Sequence, residues 1–304
     1  MSLTTPATPD ARSVRIGQLA MVLTTVAFGG TWVAAPWATD EIPPLTVACI
    51  RFAIASVLLF AWCRWRGIPI GAKRSDAPLI VGVALTSIVG YNILFLYGVT
   101  LAPSTHGAVI TPGLIPGATL LLARVLLGER IRPRRIAGVG ISIAGLVLVV
   151  GPALEGNPST ALGDLLFATS AFLWAVYTLL GRVATRRFHS AAITLLGTTV
   201  GAIILLPLAI LEPGGLGAPF AASARALGGL VYLATFGTVL SFVLFYEGVR
   251  RLGAGRASVY TVLVPLFGVS LAVLLLGETL TGTALVGAAV VLVGLWLAQA
   301  TERT

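Results

Sequence analysis

Residues 126–138 read LLGERIRPRRIAG, and residues 275–287 read LLGETLTGTALVG. The second copy keeps Leu-Leu-Gly-Glu and the later glycine, yet every arginine of the first is gone. A repeat that preserves turn and apolar residues while shedding positive charge implies two equivalent turns in surroundings of opposite charge preference. The two faces of a membrane differ in this way, because loops rich in Lys and Arg stay cytoplasmic. The copies lie 149 residues apart. That is about five spans, and an odd number puts one copy inside and the other outside.

Composition agrees. The chain has 304 residues, 57% hydrophobic and 10% charged, with a mean hydropathy of +0.98. This leaves too little polar surface to cover a soluble core. At roughly 20 apolar residues per span, ten spans are expected at 16–37, 45–64, 77–98, 105–126, 134–151, 162–182, 190–211, 225–249, 256–276 and 283–300. Arg12 and Arg15 precede the first. Even-numbered loops carry Arg64, Arg66, Lys73 and Arg74; Arg130, Arg132, Arg134 and Arg135; Arg182, Arg186 and Arg187; and Arg250, Arg251 and Arg256. Odd-numbered loops hold Asp40, Glu41, Glu155, Glu212 and Glu278, with Arg225 the exception. Both termini are therefore expected in the cytoplasm. Residues 1–15 are polar, rich in Pro and Thr, and expected to be a disordered cytoplasmic tail. No small-residue cleavage site follows the first apolar run, which reads as a retained helix.

The net charge of +9 lies in short clusters between apolar runs. It sets orientation rather than building a phosphate groove, so no nucleic-acid partner is expected. Cys49 and Cys63 are 14 residues apart on one span, about 21 Å along a helix, and cannot bond to each other.

The repeat extends beyond the opening stretch. Pro116 and Pro265, Gly145 and Gly294, and Tyr97 and Tyr246 match at the same offset, and eight of 24 positions from Leu126 and Leu275 are identical. Gly17-Gln18-Leu19 resembles Gly163-Asp164-Leu165. The reading is all-α: ten transmembrane helices in two inverted five-helix repeats, 16–151 and 162–300.

On these residues the chain resembles the drug/metabolite transporter superfamily, in particular proteins with two EamA-type repeats. The resemblance rests on Phe28-Gly29 and Trp174-Ala175 in the first helix of each half and Arg51-Phe52 in the second helix. Pro116, Pro265 and the two LLGE stretches complete it. It implies a central cavity, outward movement of small metabolites and a bacterial inner (plasma) membrane. Among members, the chain looks most like the aromatic amino-acid exporters of the YddG type.

Alternating access needs a site near mid-membrane. Phe28, Thr31 and Trp32, Tyr91 and Asn92, Trp174 and Tyr177, and Thr238 and Ser241 fall near that depth and are the candidate substrate-binding residues. Aromatic rings offer stacking surface, and hydroxyls with the Asn92 amide meet an ammonium and a carboxylate without net buried charge. Core packing or interfacial anchoring accounts for any one of them about as well. Pro112, Pro116 and Pro265, with Tyr97 and Tyr246 near helix ends, are the candidate gating or hinge residues. Gly113 and Gly117, and Gly197 and Gly201, form small-xxx-small pairs. Such pairs serve contacts within or between chains alike, so oligomeric state stays open and a monomer is compatible.

Arg51 is the costliest residue, at about 2.5–3.5 kcal/mol on insertion scales for a charge at mid-membrane. An anchoring role, bonded to carbonyls or to Asp40 or Glu41, outweighs contact with a substrate carboxylate, because the second half lacks a matching arginine. No span carries a carboxylate near its middle; Asp164 and Glu247 lie towards ends, and His106 reads as a lone surface histidine. The expectation is an uncoupled carrier of small neutral or zwitterionic metabolites, aromatic and other hydrophobic amino acids foremost, without cofactor or metal. A proton-coupled exporter of drugs or metabolites is the alternative. An integral-membrane enzyme would need clustered His, Asp or Glu, and a channel would need charge rings or a carbonyl filter. Neither pattern is present in the sequence.

Overall fold

The computed structural model describes residues 11–128, 132–252, 256–257 and 260–299, and these contain no strand. The principal helices are α1 (Ala11–Thr39), α2 (Pro44–Trp65), α3 (Arg74–Leu101), α4 (Ser104–Leu127), α5 (Pro133–Gly156), α6 (Pro158–Ala184), α7 (Ser190–Leu211), α8 (Ala224–Leu252), α9 (Leu263–Leu276) and α10 (Gly282–Gln299). Seven of these, α1–α4 and α6–α8, are long and apolar enough to cross a membrane. α9 and α10 are shorter apolar helices.

Local sequence sets the ends. Pro44 and Pro158 occupy first helical turns, where the missing N–H is an orphan anyway. Asn157 accepts from Ser159 N at 3.0 Å, and the Ser223 hydroxyl accepts from Ala226 N at 3.3 Å. Gly128 (φ 66°) and Gly277 (φ 71°) end α4 and α9 in the left-handed conformation. These are the glycines of the two LLGE stretches, kept because a side chain is penalised there. Gly128→Ala and Gly277→Ala should each cost about 1 kcal/mol, measurable as a lowered melting temperature of the purified protein.

Two expectations about the boundaries change. α1 begins at Ala11 instead of 16, so residues 11–15 of the expected disordered tail are helical. Ser13 receives a hydrogen bond from Arg251 Nη1 at 3.1 Å, which ties this turn to the end of α8. A single residue, Asn157, separates α5 from α6, where a loop of ten was expected.

The outer surface is apolar, unlike that of a soluble protein. Large apolar residues such as Leu121, Val125, Val147, Ile203, Leu274 and Trp296 are exposed, and Ala, Gly, Ser and Thr fill many of the helix contacts. Small residues let helices approach closely where lipid outside is as apolar as the protein. The tightest crossing joins α5 to α10. A Cβ on Gly138 would lie 2.7 Å from Gly294 O, and one on Gly145 would lie 2.7 Å from Gly287 O. In the 149-residue register, Gly138 corresponds to Gly287 and Gly145 to Gly294, so each contact is the exchange image of the other. Ser142 Oγ donates to the carbonyl of its own counterpart, Val291, at 3.5 Å. The same exchange relates α1 against α8 to α6 against α3, and α1 against α9 to α6 against α4.

One feature of the helices has no sequence signature. α3 widens into a π-helix at Ala84–Gly90, and α8 does so at Thr235–Leu240, at matching places in the register.

Candidate functional site

α1, α2, α3, α6, α7 and α8 surround a cavity of about 880 Å³. It starts at Arg51, Asn92 and Thr238, well inside the bundle, and runs to Arg66, Thr185, His189 and Arg250 at the arginine-bearing end.

At the inner limit of the cavity, Arg51 is 8% exposed. Its Nε donates to Thr238 Oγ1 at 3.1 Å, Nη1 to Asn92 Oδ1 at 3.0 Å, and Nη2 to Gly237 O at 3.5 Å. The acceptors are aimed by bonds reaching back five residues beside the wide turns. Asn92 Nδ2 donates to Ser87 O at 2.7 Å, and Thr238 Oγ1 to Leu233 O at 2.8 Å. With those donors engaged, the oxygen lone pairs face the guanidinium. The sequence expectation of Asp40 or Glu41 as partners is corrected. Glu41 instead accepts from Ser223 N at 2.6 Å and from its hydroxyl, which hold the Glu41 carboxyl below the usual carboxylate range. Arg51 turns inward to α3 and α8 because Asn92 and Thr238 satisfy it there.

Around this cluster stands an aromatic wall. Tyr91 lies 4.8 Å from Trp174 and stacks on Phe95 at 5.9 Å, and Trp174 meets Tyr177 at 5.2 Å. Phe28 and Phe242 pack edge to face at 6.1 Å on another side.

Seven of the nine candidate binding residues line this cavity: Phe28, Thr31, Tyr91, Asn92, Trp174, Tyr177 and Thr238. Trp32 and Ser241 do not. Trp32 is wedged between Phe95 (4.9 Å) and Phe167 (5.6 Å), and a Cβ on Gly268 would meet its ring at 2.8 Å. Ser241 is fully buried and donates to Phe236 O at 2.5 Å. It is the counterpart of Asn92, and Phe236 that of Ser87. The cavity also takes in Phe52, Ser87, Phe95 and His189, none of which the sequence reading proposed. Among these only Phe52, beside Arg51, carried a sequence signal.

The opposite end is closed. Glu212 accepts from Leu45 N (3.0 Å), Thr46 N (2.8 Å), Thr46 Oγ1 (3.1 Å) and Tyr97 Oη (3.1 Å), tying α7, α2 and α3 together. Glu278, of the second LLGE stretch, accepts from Ser104 N and Thr105 N, both at 2.8 Å. Acidic groups suit helix N-termini because they meet orphan N–H groups and the positive dipole end. Glu129 lies outside the described residues. His106 is not the lone surface histidine expected. Its Nδ1 lies 3.1 Å from Asp164 Oδ1, and Asp164 is 3% exposed. α4 and α6 bring the pair together across 58 positions of sequence.

Of the candidate gating residues, Tyr97 belongs to this closed end, whereas Tyr246 lies on the cavity beside His189, ring centroids 4.8 Å apart. Pro112 and Pro116 interrupt α4. Pro265 sits in the first turn of α9, where it breaks no helical bond. The glycine pairs face neighbours in this chain: Gly113 against Val291, Gly117 against Val139, Gly197 against Val83 and Gly201 against Ile88.

Comparison with known proteins bears on this architecture. The model of the EamA-like transporter family matches twice, at residues 15–151 and 161–299. An uncharacterized transporter of Archaeoglobus fulgidus is 28% identical, over 94% of this chain and 98% of its own. A probable amino-acid metabolite efflux pump of Salmonella typhimurium is 24% identical, over 91% of this chain and 92% of its own. A probable terminal-alkyne amino-acid exporter of Streptantibioticus cattleyicolor is 27% identical, over 91% of both chains. One solved crystal structure, 22% identical, covers 95% of this chain and 97% of its own with a TM-score of 0.64 and shares the fold. Helices arranged in two matching sets around one closed-ended cavity thus coincide with a family model that matches each set, and the chain belongs to the EamA-like transporter family.

Proposed function

We propose that this chain is an alternating-access carrier exporting small zwitterionic metabolites, aromatic and other hydrophobic amino acids foremost, by uncoupled facilitated diffusion. It crosses a bacterial inner membrane ten times, in two inverted five-helix repeats, with both termini cytoplasmic. The arginine-bearing end then faces the cytoplasm, so the cavity is open inward and the glutamate-bearing end is the closed outer gate. Rocking one set of helices against the other would open that gate.

The observation that carries this reading is the cavity, which pairs a wall of Tyr91, Trp174 and Tyr177 with the polar cluster of Arg51, Asn92 and Thr238 at its closed end. A flat apolar side chain fits the first and a polar head group the second. The amino-acid exporters among its relatives support the substrate class.

The test is uptake by proteoliposomes of labelled Phe, Trp, Thr, Ala and Lys, with and without an imposed pH gradient. Saturable uptake of Phe and Trp is expected, unchanged by the gradient and weakened about tenfold in Trp174→Ala through lost burial and ring contacts. A second reading, proton coupling, is favoured by the pairing of the partly buried His106 with the buried Asp164 at the outer end. Uptake that follows the pH gradient and loses this dependence in Asp164→Asn would replace the uncoupled mechanism.

A further inference from the structure

We infer that the site reads the substrate's carboxylate and not its amino group, so that aromatic monocarboxylates lacking an amine are carried as well. This deepens the carrier reading above and rests on it. Arg51 is a buried cation with no carboxylate within ion-pair distance among the described residues; its partners are the neutral Thr238, Asn92 and Gly237. A guanidinium has five N–H donors. Those bonds leave one N–H of Nη1 and one of Nη2 without an acceptor among the described residues, on a residue that lines the cavity. A carboxylate takes two such donors in one plane and supplies the missing counter-charge.

Nothing comparable awaits an ammonium. Glu247 is the one acidic side chain on the cavity wall among the described residues. It stands nine residues beyond Thr238 on α8, about 13 Å along the axis. Its oxygens are held by Arg250 at 2.7 Å and Arg251 at 2.5 Å. The ammonium of an amino acid is attached to the carbon that bears the carboxylate, so with the carboxylate on Arg51 it cannot reach Glu247. It lies instead beside the guanidinium, a like charge. Asn92 Oδ1, Thr238 Oγ1 and Gly237 O, neutral acceptors beside it, already serve Arg51. At the mouth, Arg66 adds positive potential that draws anions inward.

The experiment is titration calorimetry of the purified full-length protein with L-phenylalanine, 3-phenyllactate (hydroxyl in place of the amine) and phenethylamine (no carboxylate). Phenyllactate should bind within about threefold of phenylalanine or tighter. Phenethylamine should bind at least about thirtyfold more weakly, as the loss of a charge-assisted pair predicts. Arg51→Gln should weaken phenylalanine and phenyllactate alike by about thirtyfold, with Arg51→Lys between. Phenethylamine binding as well as phenylalanine overturns the inference, as does failure of both carboxylates to bind folded wild-type protein. Both readouts use the unaltered chain, so poor folding of a variant leaves the test intact. Phenyllactate binding without phenylalanine would sink the amino-acid reading and leave this one standing. Phenylalanine binding without phenyllactate would do the reverse.

Discussion

Gly145→Ala should deprive the protein of its α5–α10 contact, while Gly140→Ala, five residues away on the same helix, should leave it intact. A methyl on Gly145 would lie 2.7 Å from Gly287 O and 2.7 Å from Val291 N. Both are backbone atoms of α10, which no rotamer change moves aside. The helices must separate, and the exchange-related contact of Gly138 with Gly294 lies on the same crossing and separates with them. Overpacking a close contact costs about 1–3 kcal/mol, more where backbone has to shift. Gly140 has nothing within 4 Å of the added Cβ, and alanine there gains up to about 1 kcal/mol of helix propensity. Thermal unfolding of the detergent-solubilised protein reads the contrast. A fall of roughly 5–10 °C is expected for Gly145→Ala and none for Gly140→Ala. Equal effects of the two would mean that the crossing is looser than its geometry.

How much of this was legible in the sequence depends on which forces act along the chain and which act across it. Helix positions were legible because hydrocarbon thickness sets a ruler and Pro and Gly mark ends locally; the helix-ending glycines 128 and 277 were read from a repeated tetrapeptide. Which face each helix turns to the cavity was not. In a soluble helix polar residues mark one side, but here the lipid and core faces are both apolar and the cavity face mixes a few polar groups with aromatic and aliphatic ones. Trp32 and Trp174 looked alike at equal depth, and only one of them meets the cavity. The partners of Arg51 lie 41 and 187 positions away, and aiming them takes widened turns that ALTSIVG and TFGTVL do not announce. Those of Glu212 and Asp164 are equally remote. The buried charge of Arg51 was visible, but the sequence reading gave it an anchoring role with Asp40 or Glu41, because its neighbours on α3 and α8 remained hidden.

On the proposed carrier mechanism, Glu212→Ala should shift the protein from its closed outer end towards an outward-open state. One carboxylate accepts four hydrogen bonds there, from two N–H groups at the start of α2, the Thr46 hydroxyl and the Tyr97 hydroxyl. In the proposed alternating-access cycle, opening the outer end would pull α2 and α3 away from α7, so these bonds would stabilise the inward-open state and be absent from the other. Hydrogen bonds to a charged group contribute about 1.5–3 kcal/mol each, less where solvent reaches them. Since Leu45 and Thr46 are helix-start donors that water satisfies once the end opens, the net shift is taken as about 2–3 kcal/mol. That is roughly 30- to 150-fold in the ratio of the two states. Hydrogen exchange reads it directly: backbone amides in 44–50, 92–101 and 205–211 should exchange faster, and those in 185–195 and 243–250 more slowly as the inner mouth closes. Glu212→Gln retains an acceptor oxygen without the charge and should fall between. Opposite changes at the two ends are the signature of alternating access, because a variant that merely loosens the bundle speeds exchange at both. Faster exchange everywhere would demote Glu212 to a structural cap, and no change at either end would show that the gate is held elsewhere.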